Sequence, residues 1–332
     1  MAAGFAVGIG LTNECDLRCP HCYRPALAAG RLSRQDVARV FDSIPARSVN
    51  LGVGENGLHP DYRAILDDLH ARRLPVSITS NGLSIQSLPD ATVKRFHAVE
   101  CSLDFPTERE HDGFRGRGNW RLVMDTLARA SALGVPVTVT AVLMRINHRR
   151  LPEIARVAAP FGAPLRVNIY QPSRGDQFSV GYGEFWDAMR RLADATRLVA
   201  TTEPVLAGVL GIDEGAPRGC GRSTVRVAPD GRVLPCTYWP DSTLRLADLE
   251  ALGESITDTA EFRAARQVPP ACAGCPCRGG CAGRRALVGG LEAADPFCPF
   301  ARGERIALRW EREPREELPK LGSACTTVVS AR

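Results

Sequence analysis

The chain has 332 residues, is 44% hydrophobic and carries a formal net charge of +5, which allows a large buried core and excludes a disordered chain. Its basic residues form no run, so we expect no nucleic-acid partner. We find neither a secretory signal nor an apolar run long enough to cross a bilayer, and therefore expect a cytoplasmic protein without a membrane partner. Twelve cysteines in a reducing compartment indicate metal ligation rather than disulfides.

Strand and helix patterns alternate along the first part of the chain. Short β-branched runs predict six strands, at residues 6–11, 48–52, 75–79, 98–103, 135–143 and 165–170. Amphipathic segments predict helices at residues 33–44, 62–72, 88–96, 119–133, from 152 onward and near 185–198. Parallel strands need crossover helices, and six units are too few for a closed eight-unit barrel. The predicted fold class is therefore α/β, a partial (β/α)6 TIM-like barrel with its chemistry at the carboxyl ends of the strands.

The periodic pattern fades after about residue 199. Residues 219–300 contain seven of the twelve cysteines together with many glycines and prolines. Such a segment needs bound metal in order to fold, because it has too little apolar content for a core. We predict a barrel at residues 1–198, a linker at 199–218, a small cysteine-rich domain at 219–305 and a C-terminal tail at 306–332.

The first cysteine motif directly follows the first predicted strand. Cys15, Cys19 and Cys22 are spaced C-x3-C-x2-C. Three thiolates on one loop can hold three corners of a 4Fe–4S cluster and leave the fourth iron open for a small molecule. The alternative is a structural zinc ion with His21 as its fourth ligand.

This motif, after the first strand of a six-unit α/β chain, resembles the radical S-adenosylmethionine (radical SAM) superfamily. In that family S-adenosylmethionine chelates the open iron, and its reductive cleavage yields a 5′-deoxyadenosyl radical that abstracts hydrogen from the substrate. The resemblance implies that Cys15, Cys19 and Cys22 are the catalytic cluster ligands. It also implies a flavodoxin- or ferredoxin-type reductant as a partner, and it places His21 near the adenine rather than on the metal.

Further matches to this family follow the later strands. Gly54 and Glu55 resemble its Gly-Glu turn, with Asn56 where most members have proline. The stretch from His111 to Gly116 resembles the family's HD-x-x-RG segment. Ser80 and its neighbours are also compatible with a simple turn. The resemblance implies that S-adenosylmethionine is bound by residues at the strand ends: His21, Gly54, Glu55, Ser80, Asn81, Ser102, Asp104 and Asn147.

Seven further cysteines resemble the SPASM extension of radical SAM enzymes, which holds two auxiliary 4Fe–4S clusters. Carried over by position, an inner cluster takes Cys220, Cys236 and Cys281. The outer cluster takes Cys272, Cys275, Cys277 and Cys298. Together with the first motif this gives three 4Fe–4S clusters and S-adenosylmethionine as cofactors. Only Pro276 separates Cys275 from Cys277, which is shorter than the usual spacing, and a zinc ribbon is the alternative reading of this segment.

Three further points concern the cysteine pattern. No cysteine shortly precedes Cys220, so the inner cluster either keeps an open iron or takes a non-cysteine ligand such as Asp213 or Glu214. Cys101 lies inside a predicted strand and reads as a core residue. Cys325 stands alone in the tail, and three roles are open to it: a hydrogen-atom donor, a spare metal ligand or an inert thiol.

The sequence indicates less about the substrate than about the fold or the cofactors. The first predicted strand begins a few residues after Met1, so we expect no fused leader-peptide domain and predict a small-molecule substrate of sugar or nucleoside type. The many arginines favour an anionic one. The expected reactions are decarboxylation, epimerisation or dehydrogenation in natural-product (antibiotic) biosynthesis. One alternative is a maturase that forms thioethers, carbon–carbon crosslinks or epimers in a ribosomally made peptide, and another is a non-catalytic iron–sulfur electron-transfer protein.

Overall fold

A computed structural model describes residues 4–24, 30–212, 220–313 and 325–332. Within these ranges the chain forms a ten-stranded sheet with the order β7-β10-β6-β5-β4-β3-β2-β1-β8-β9. The strands are β1 Phe5–Ile9, β2 Ala46–Leu51, β3 Val76–Ser80, β4 Ala98–Ser102, β5 Val137–Leu143, β6 Leu165–Ile169, β7 Thr196–Thr201, β8 Thr224–Val227, β9 Val233–Leu234 and β10 Thr326–Ala331. Strands β1 to β6 are parallel neighbours in sequence order, which confirms the predicted fold class.

Helices connect the parallel strands and continue into the C-terminal region. They are α1 Arg34–Ser43, α2 Tyr62–Ala71, α3 Leu83–Gln86, α4 Asp90–Val93, α5 Glu108–Arg115, α6 Asn119–Ala132, α7 Leu151–Ala158, α8 Tyr182–Ala195, α9 Pro204–Val209, α10 Leu246–Leu252, α11 Ala260–Ala265 and α12 Ala282–Val288. Among the described residues, no helix has the length and apolar character needed to cross a membrane.

Local sequence explains most of these boundaries. Ser33 caps α1, and Asp36 bonds back to the Ser33 backbone, which completes a capping box. The core is formed by strands buried on both faces, as in β1 and β5, and by the apolar faces of the helices that cover them. Val37, Val40 and Phe41 of α1 are examples of these buried faces.

Two predicted helices differ from the structure. Residues 88–96 form only the short α4, because Pro89 disfavours a helical backbone at the residue before it and stands as the N-cap of α4. The helix predicted near 185–198 is α8, which ends at Ala195 and is followed directly by the unpredicted strand β7. The run from Thr196 to Thr201 contains β-branched residues, and its pairing with β10 makes it extended.

The sheet extends beyond the six predicted strands at both ends. Strand β8 pairs in parallel with β1, and β9 pairs antiparallel with β8. Strand β10 lies antiparallel between β6 and β7. Segments predicted as a cysteine-rich domain and as a tail therefore both contribute strands to the barrel sheet.

Candidate active site and cysteine clusters

A cavity of about 650 Å³ lies at the carboxyl ends of the parallel strands. This volume is within the range of about 300–1,000 Å³ that is typical of ligand pockets. Nine of the eleven residues predicted to bind the first cluster or S-adenosylmethionine line it: Cys15, Cys19, His21, Cys22, Gly54, Glu55, Ser80, Asn81 and Ser102. The fold thus brings together residues from the ends of four different strands.

The three cysteines of the first motif lie on the loop after β1 and are half-buried. The Cys22 amide donates to the Cys19 carbonyl at 3.1 Å, and the Leu17 amide donates to Cys15 Sγ at 3.4 Å. Burial, together with the charge of Glu55, raises the pKa of Cys15 to about 12, and burial also raises the pKa of Cys19. Such thiols ionise when a bound metal offsets the cost of burying the charge, so the donor set fits an iron–sulfur cluster.

Neighbouring side chains hold this loop in place. The Arg24 guanidinium donates to the carbonyls of Asn13 and Leu17, at 2.9 and 3.2 Å. From the end of β3, Asn81 Nδ2 donates to Asp16 Oδ1 at 2.7 Å. The loop is therefore fixed by contacts within itself and with the end of β3, which preorganise the three thiols.

The turn after β2 packs directly against the cysteine loop. Gly54 has φ +62°, and a Cβ there would lie 2.3 Å from the Thr12 carbonyl oxygen and 2.6 Å from that of Glu14. Val53 has φ +69°, which is a strained conformation for a β-branched residue. Only glycine allows this approach at position 54, so the turn requires the residue that the sequence provides.

The Glu55 carboxylate joins the ends of β2 and β3. It accepts hydrogen bonds from Ser80 Oγ at 2.5 Å, from the Asn81 amide at 2.9 Å and from the Ser84 amide at 2.8 Å, and also from the Ser84 hydroxyl. The residue is 1% exposed. Its predicted contact with S-adenosylmethionine stays a prediction, and the structure shows that Glu55 also connects the elements that form the cavity wall.

His21 belongs to a buried charge network. Its Nε2 lies 3.3 Å from Asp104 Oδ2, which also accepts from Arg115 Nε at 2.7 Å. The ring packs on Phe114 with centroids 5.0 Å apart. Burial lowers the pKa of His21 to about 4, although the charge of Asp104 opposes this, so the imidazole is neutral at pH 7. The network holds His21 in the cavity lining.

Asp104 and Asn147, both within the described residues, do not line the cavity. Asp104 accepts from Arg115 and from the Val142 amide at 2.8 Å. Asn147 Nδ2 donates to the carbonyls of Asp104 and Val142, at 3.0 and 2.9 Å. Both side chains lie behind the wall, where they connect the ends of β4 and β5. Their predicted contact with the cofactor stays a prediction.

The interior of the barrel contains charged residues that the sequence analysis missed. Arg166 Nε lies 2.9 Å from Glu100 Oε1, and both side chains are buried. Thr79 Oγ1 donates to Glu100 Oε2 at 2.9 Å. Arg226 of β8 extends over Gly8. A Cβ added to Gly8 would lie only 1.6 Å from Arg226 Nη1. The sequence signal that could have revealed them is the presence of charged residues inside strands that are otherwise apolar. In the structure these side chains form a polar part of the cavity lining.

The remaining cavity wall combines loops of the predicted barrel with residues from the C-terminal region. Tyr23 meets Tyr238 edge to face at 5.4 Å, and residues 228–230 and 237–241 complete this side. Arg174 Nη1 donates to the Arg24 carbonyl at 3.2 Å. The C-terminal region therefore forms part of the same cavity as the first cysteine motif.

The C-terminal cysteines form two groups. In the outer group, the sulfur atoms of Cys275, Cys277 and Cys298 all lie within 4.8 Å of one another. Cys272 lies beside them, and its carbonyl accepts from the Cys275 amide at 3.1 Å. The short spacing around Pro276 thus leaves Cys277 inside the group. In the inner group, the Cys220 thiol is close enough to those of Cys236 and Cys281 to interact with both.

A buried ion network connects the two groups. Arg284 Nη2 lies 2.8 Å from Glu203 Oε1 and 2.6 Å from Asp295 Oδ2, and Asp295 also accepts from the Cys281 amide at 2.8 Å. The Arg284 guanidinium stacks on Phe297 at 4.7 Å. The network anchors α12, which begins directly after Cys281, and the segment that leads to Cys298.

The family model of the Radical SAM superfamily matches residues 9–158. This range includes the cysteine loop, the Gly54–Glu55 turn and the strands β2 to β5 that surround the cavity. Residues 9–158 therefore form a radical SAM domain, and the chain that carries it is an enzyme. The family implies S-adenosylmethionine and a 4Fe–4S cluster as cofactors, and the thiols of the first motif fit that cluster.

Named relatives match over most of the chain. The mycofactocin maturase MftC of Mycobacterium tuberculosis is 28% identical over 92% of this chain and 85% of its own length. The PqqA peptide cyclase of Ruegeria pomeroyi is 28% identical over 87% of this chain and 85% of its own length. The structure of Streptococcus suis SuiB bound to S-adenosylmethionine has a TM-score of 0.69 at 17% identity and covers 89% of this chain and 77% of SuiB. SuiB has also been solved with the precursor peptide SuiA.

These relatives correct the sequence analysis on one point. A small molecule as the substrate and partner is the wrong prediction, because the relatives are named as a maturase and a peptide cyclase. The prediction relied on where the first strand begins, which carries no information about the substrate. The predictions of an enzyme and of a radical SAM chain are confirmed.

Proposed function

We propose that the chain is a maturase that modifies a ribosomally made peptide by radical chemistry. The observation that carries this proposal is the 28% identity to the mycofactocin maturase over 92% of the chain. The cavity supports it, because its wall combines the catalytic loop with residues 228–241 of the C-terminal region. Cys15, Cys19 and Cys22 would hold a 4Fe–4S cluster, and that cluster would supply the electron for reductive cleavage of S-adenosylmethionine and so the radical chemistry on the peptide.

Different residues of the cavity wall are assigned to S-adenosylmethionine and to the peptide. We assign S-adenosylmethionine to the side formed by His21, Gly54, Glu55, Asn81 and Ser102, where the strands of the radical SAM domain end. The loop, held by its hydrogen bonds, and the Glu55 turn would orient a bound S-adenosylmethionine.

We assign the peptide to the opposite side of the cavity. Tyr23 and Tyr238 offer aromatic surface there, and Arg174 and Arg226 offer positive charge next to it. Aromatic and arginine side chains are the commonest anchors at protein–peptide interfaces. A peptide side chain placed on this surface faces the S-adenosylmethionine side of the cavity.

We further propose that residues 220–298 form a SPASM-type region with two auxiliary 4Fe–4S clusters, which gives three clusters in total. The close approach of Cys275, Cys277 and Cys298 supports the outer one. All the donors in both groups are thiols, which suit iron–sulfur clusters. We propose a flavodoxin- or ferredoxin-type protein as the reductant, because the reaction needs low-potential electrons. We propose a cytoplasmic location, because the cysteine ligands must stay reduced.

The function is tested by anaerobic reconstitution with iron and sulfide, followed by reduction in the presence of S-adenosylmethionine and the short peptides encoded next to the gene. We expect 5′-deoxyadenosine together with a changed peptide mass in mass spectrometry. The Cys15→Ala/Cys19→Ala/Cys22→Ala variant should give neither product, and the Cys101→Ala variant should give both. Formation of 5′-deoxyadenosine with every peptide left unmodified would overturn the peptide assignment but not the enzyme class.

A further inference from the structure

Cys325 is isolated in the sequence but not in the structure. It immediately precedes β10, and its thiol lies close enough to those of Cys220 and Cys281 to interact with both. The Cys220 thiol in turn lies close enough to Cys236 to interact with it. Four cysteines, drawn from four separate segments of the chain, are therefore neighbours in one group.

The backbone next to Cys325 is tightly held. Thr326 pairs with Asn168 of β6. Its carbonyl accepts from the Thr202 amide at 2.8 Å, and its amide donates to Thr202 Oγ1 at 3.2 Å. The next residue after Thr202 is Glu203, which binds Arg284 on the helix that starts after Cys281. Cys325 and Cys281 are thus positioned by the same set of contacts.

The other two thiols of this group are also fixed by close packing. Cys236 Sγ lies 2.9 Å from the position that a Cβ would take on Gly283 of α12. Next to Cys220, Gly221 has φ +70°, and a Cβ there would lie 2.4 Å from the Phe262 carbonyl oxygen. The group is therefore set by glycine-dependent contacts on two sides, as expected of a built site.

We propose that Cys325 is the fourth protein ligand of the inner auxiliary 4Fe–4S cluster, together with Cys220, Cys236 and Cys281. This inference rests on the auxiliary clusters of the proposed function and completes the ligand set of one of them. The sequence analysis offered Asp213 or Glu214 for this role, and both lie outside the described residues. Four thiolates satisfy all four irons of a cubane cluster.

Full ligation restricts what the inner cluster can do. A cluster with four thiolates has no iron available to bind a substrate, unlike a cluster held by the three thiols of the first motif. Its chemistry is then limited to outer-sphere electron transfer. The peptide would bind only in the cavity of the radical SAM domain.

The test uses the full chain with Cys15, Cys19 and Cys22 replaced by alanine, so that only auxiliary clusters remain. We expect about eight irons in this protein after reconstitution. Adding Cys325→Ala should lower the iron content by about one, to a 3Fe–4S cluster, or by about four if the whole cluster is lost. Adding Cys101→Ala instead is the matched control and should leave about eight irons.

A second variant separates ligation from folding. Cys325→Ser keeps an oxygen ligand at the site, so we expect the iron content to be retained while the EPR signal of one reduced cluster shifts. An unchanged iron content and unchanged EPR spectra in both Cys325 variants would overturn the proposal. Zinc in place of iron in the starting protein would overturn the auxiliary clusters themselves, and the two failures are thus distinguishable.

Discussion

Gly54 shows how one residue connects the two halves of the candidate site. Its positive φ and its contact with the carbonyls of Thr12 and Glu14 leave no room for a side chain. The next residue, Glu55, holds Ser80 and Ser84. Any displacement of this turn therefore moves both the cysteine loop and the end of β3.

Replacing Gly54 with alanine tests this connection, with Gly134→Ala as the matched control. Gly134 also has a positive φ, of +76°, but an added Cβ there meets nothing within 4 Å. The control should lose roughly 1–2 kcal/mol of unfolding free energy from the backbone conformation alone. Gly54→Ala adds a clash with backbone oxygens and should lose about 3 kcal/mol or more, measured by urea unfolding.

The same variant should bind S-adenosylmethionine more weakly in equilibrium dialysis, because the Glu55 turn lines the cavity. Equal losses of stability for Gly54→Ala and Gly134→Ala, with unchanged S-adenosylmethionine binding, would contradict this account of the turn.

Among the residues of the candidate site, those that act together with close neighbours in the sequence were the predictable ones. The cysteine motif and the Gly54–Glu55 pair were predictable because each acts through neighbours in sequence. The Glu100–Arg166 ion pair was not, because its members come from different strands and only the sheet register brings them together. For the same reason the sequence could not show that Asp104 and Asn147 lie behind the cavity wall.

Helix α12 is the element that organises the C-terminal thiols. Its Arg284 is 2% exposed and bonds to Glu203 and Asp295, which are also buried. Glu203 follows β7, and Asp295 precedes Cys298. The helix thereby joins the barrel sheet to both groups of cysteines.

Arg284→Met should destabilise the fold strongly. Methionine is an uncharged side chain of similar length, so the substitution leaves two buried carboxylates without their cation. The free energy of unfolding should fall by about 3–5 kcal/mol. We expect a lower thermal midpoint and a lower iron content after reconstitution. Arg34→Met removes a cation of α1 whose ion pair with Asp68 is exposed, and it should change neither quantity appreciably. Similar effects of the two substitutions would refute the role of the buried network.

Elements were predictable where local periodicity was strong. Strands β1 to β6 and helices such as α1 and α6 follow from burial patterns and caps within one segment. Strands β7 and β10 were missed because their extended form depends on pairing with each other across more than a hundred residues. The short β9 has only two residues and no pattern of its own.

The whole molecule combines a radical SAM domain with C-terminal segments that extend its sheet. In the described residues, β8 and β9 lie at one end of the sheet and β10 lies near the other. Cys220 precedes β8 and Cys325 precedes β10, and their thiols lie close enough to interact, so the two ends come near each other at this point. A metal cluster at this point would fasten the open barrel, in addition to any role in electron transfer.

The central claim is that the Cys15, Cys19 and Cys22 loop holds a cluster that cleaves S-adenosylmethionine. The most direct measurement is 5′-deoxyadenosine formation and iron content in anaerobically reconstituted, reduced protein, with the triple alanine variant and Cys101→Ala beside the wild type. We predict about twelve irons in the wild type and in Cys101→Ala, and about four fewer in the triple variant, together with complete loss of 5′-deoxyadenosine in that variant alone. A fully loaded, reduced wild type that forms no 5′-deoxyadenosine would contradict the account.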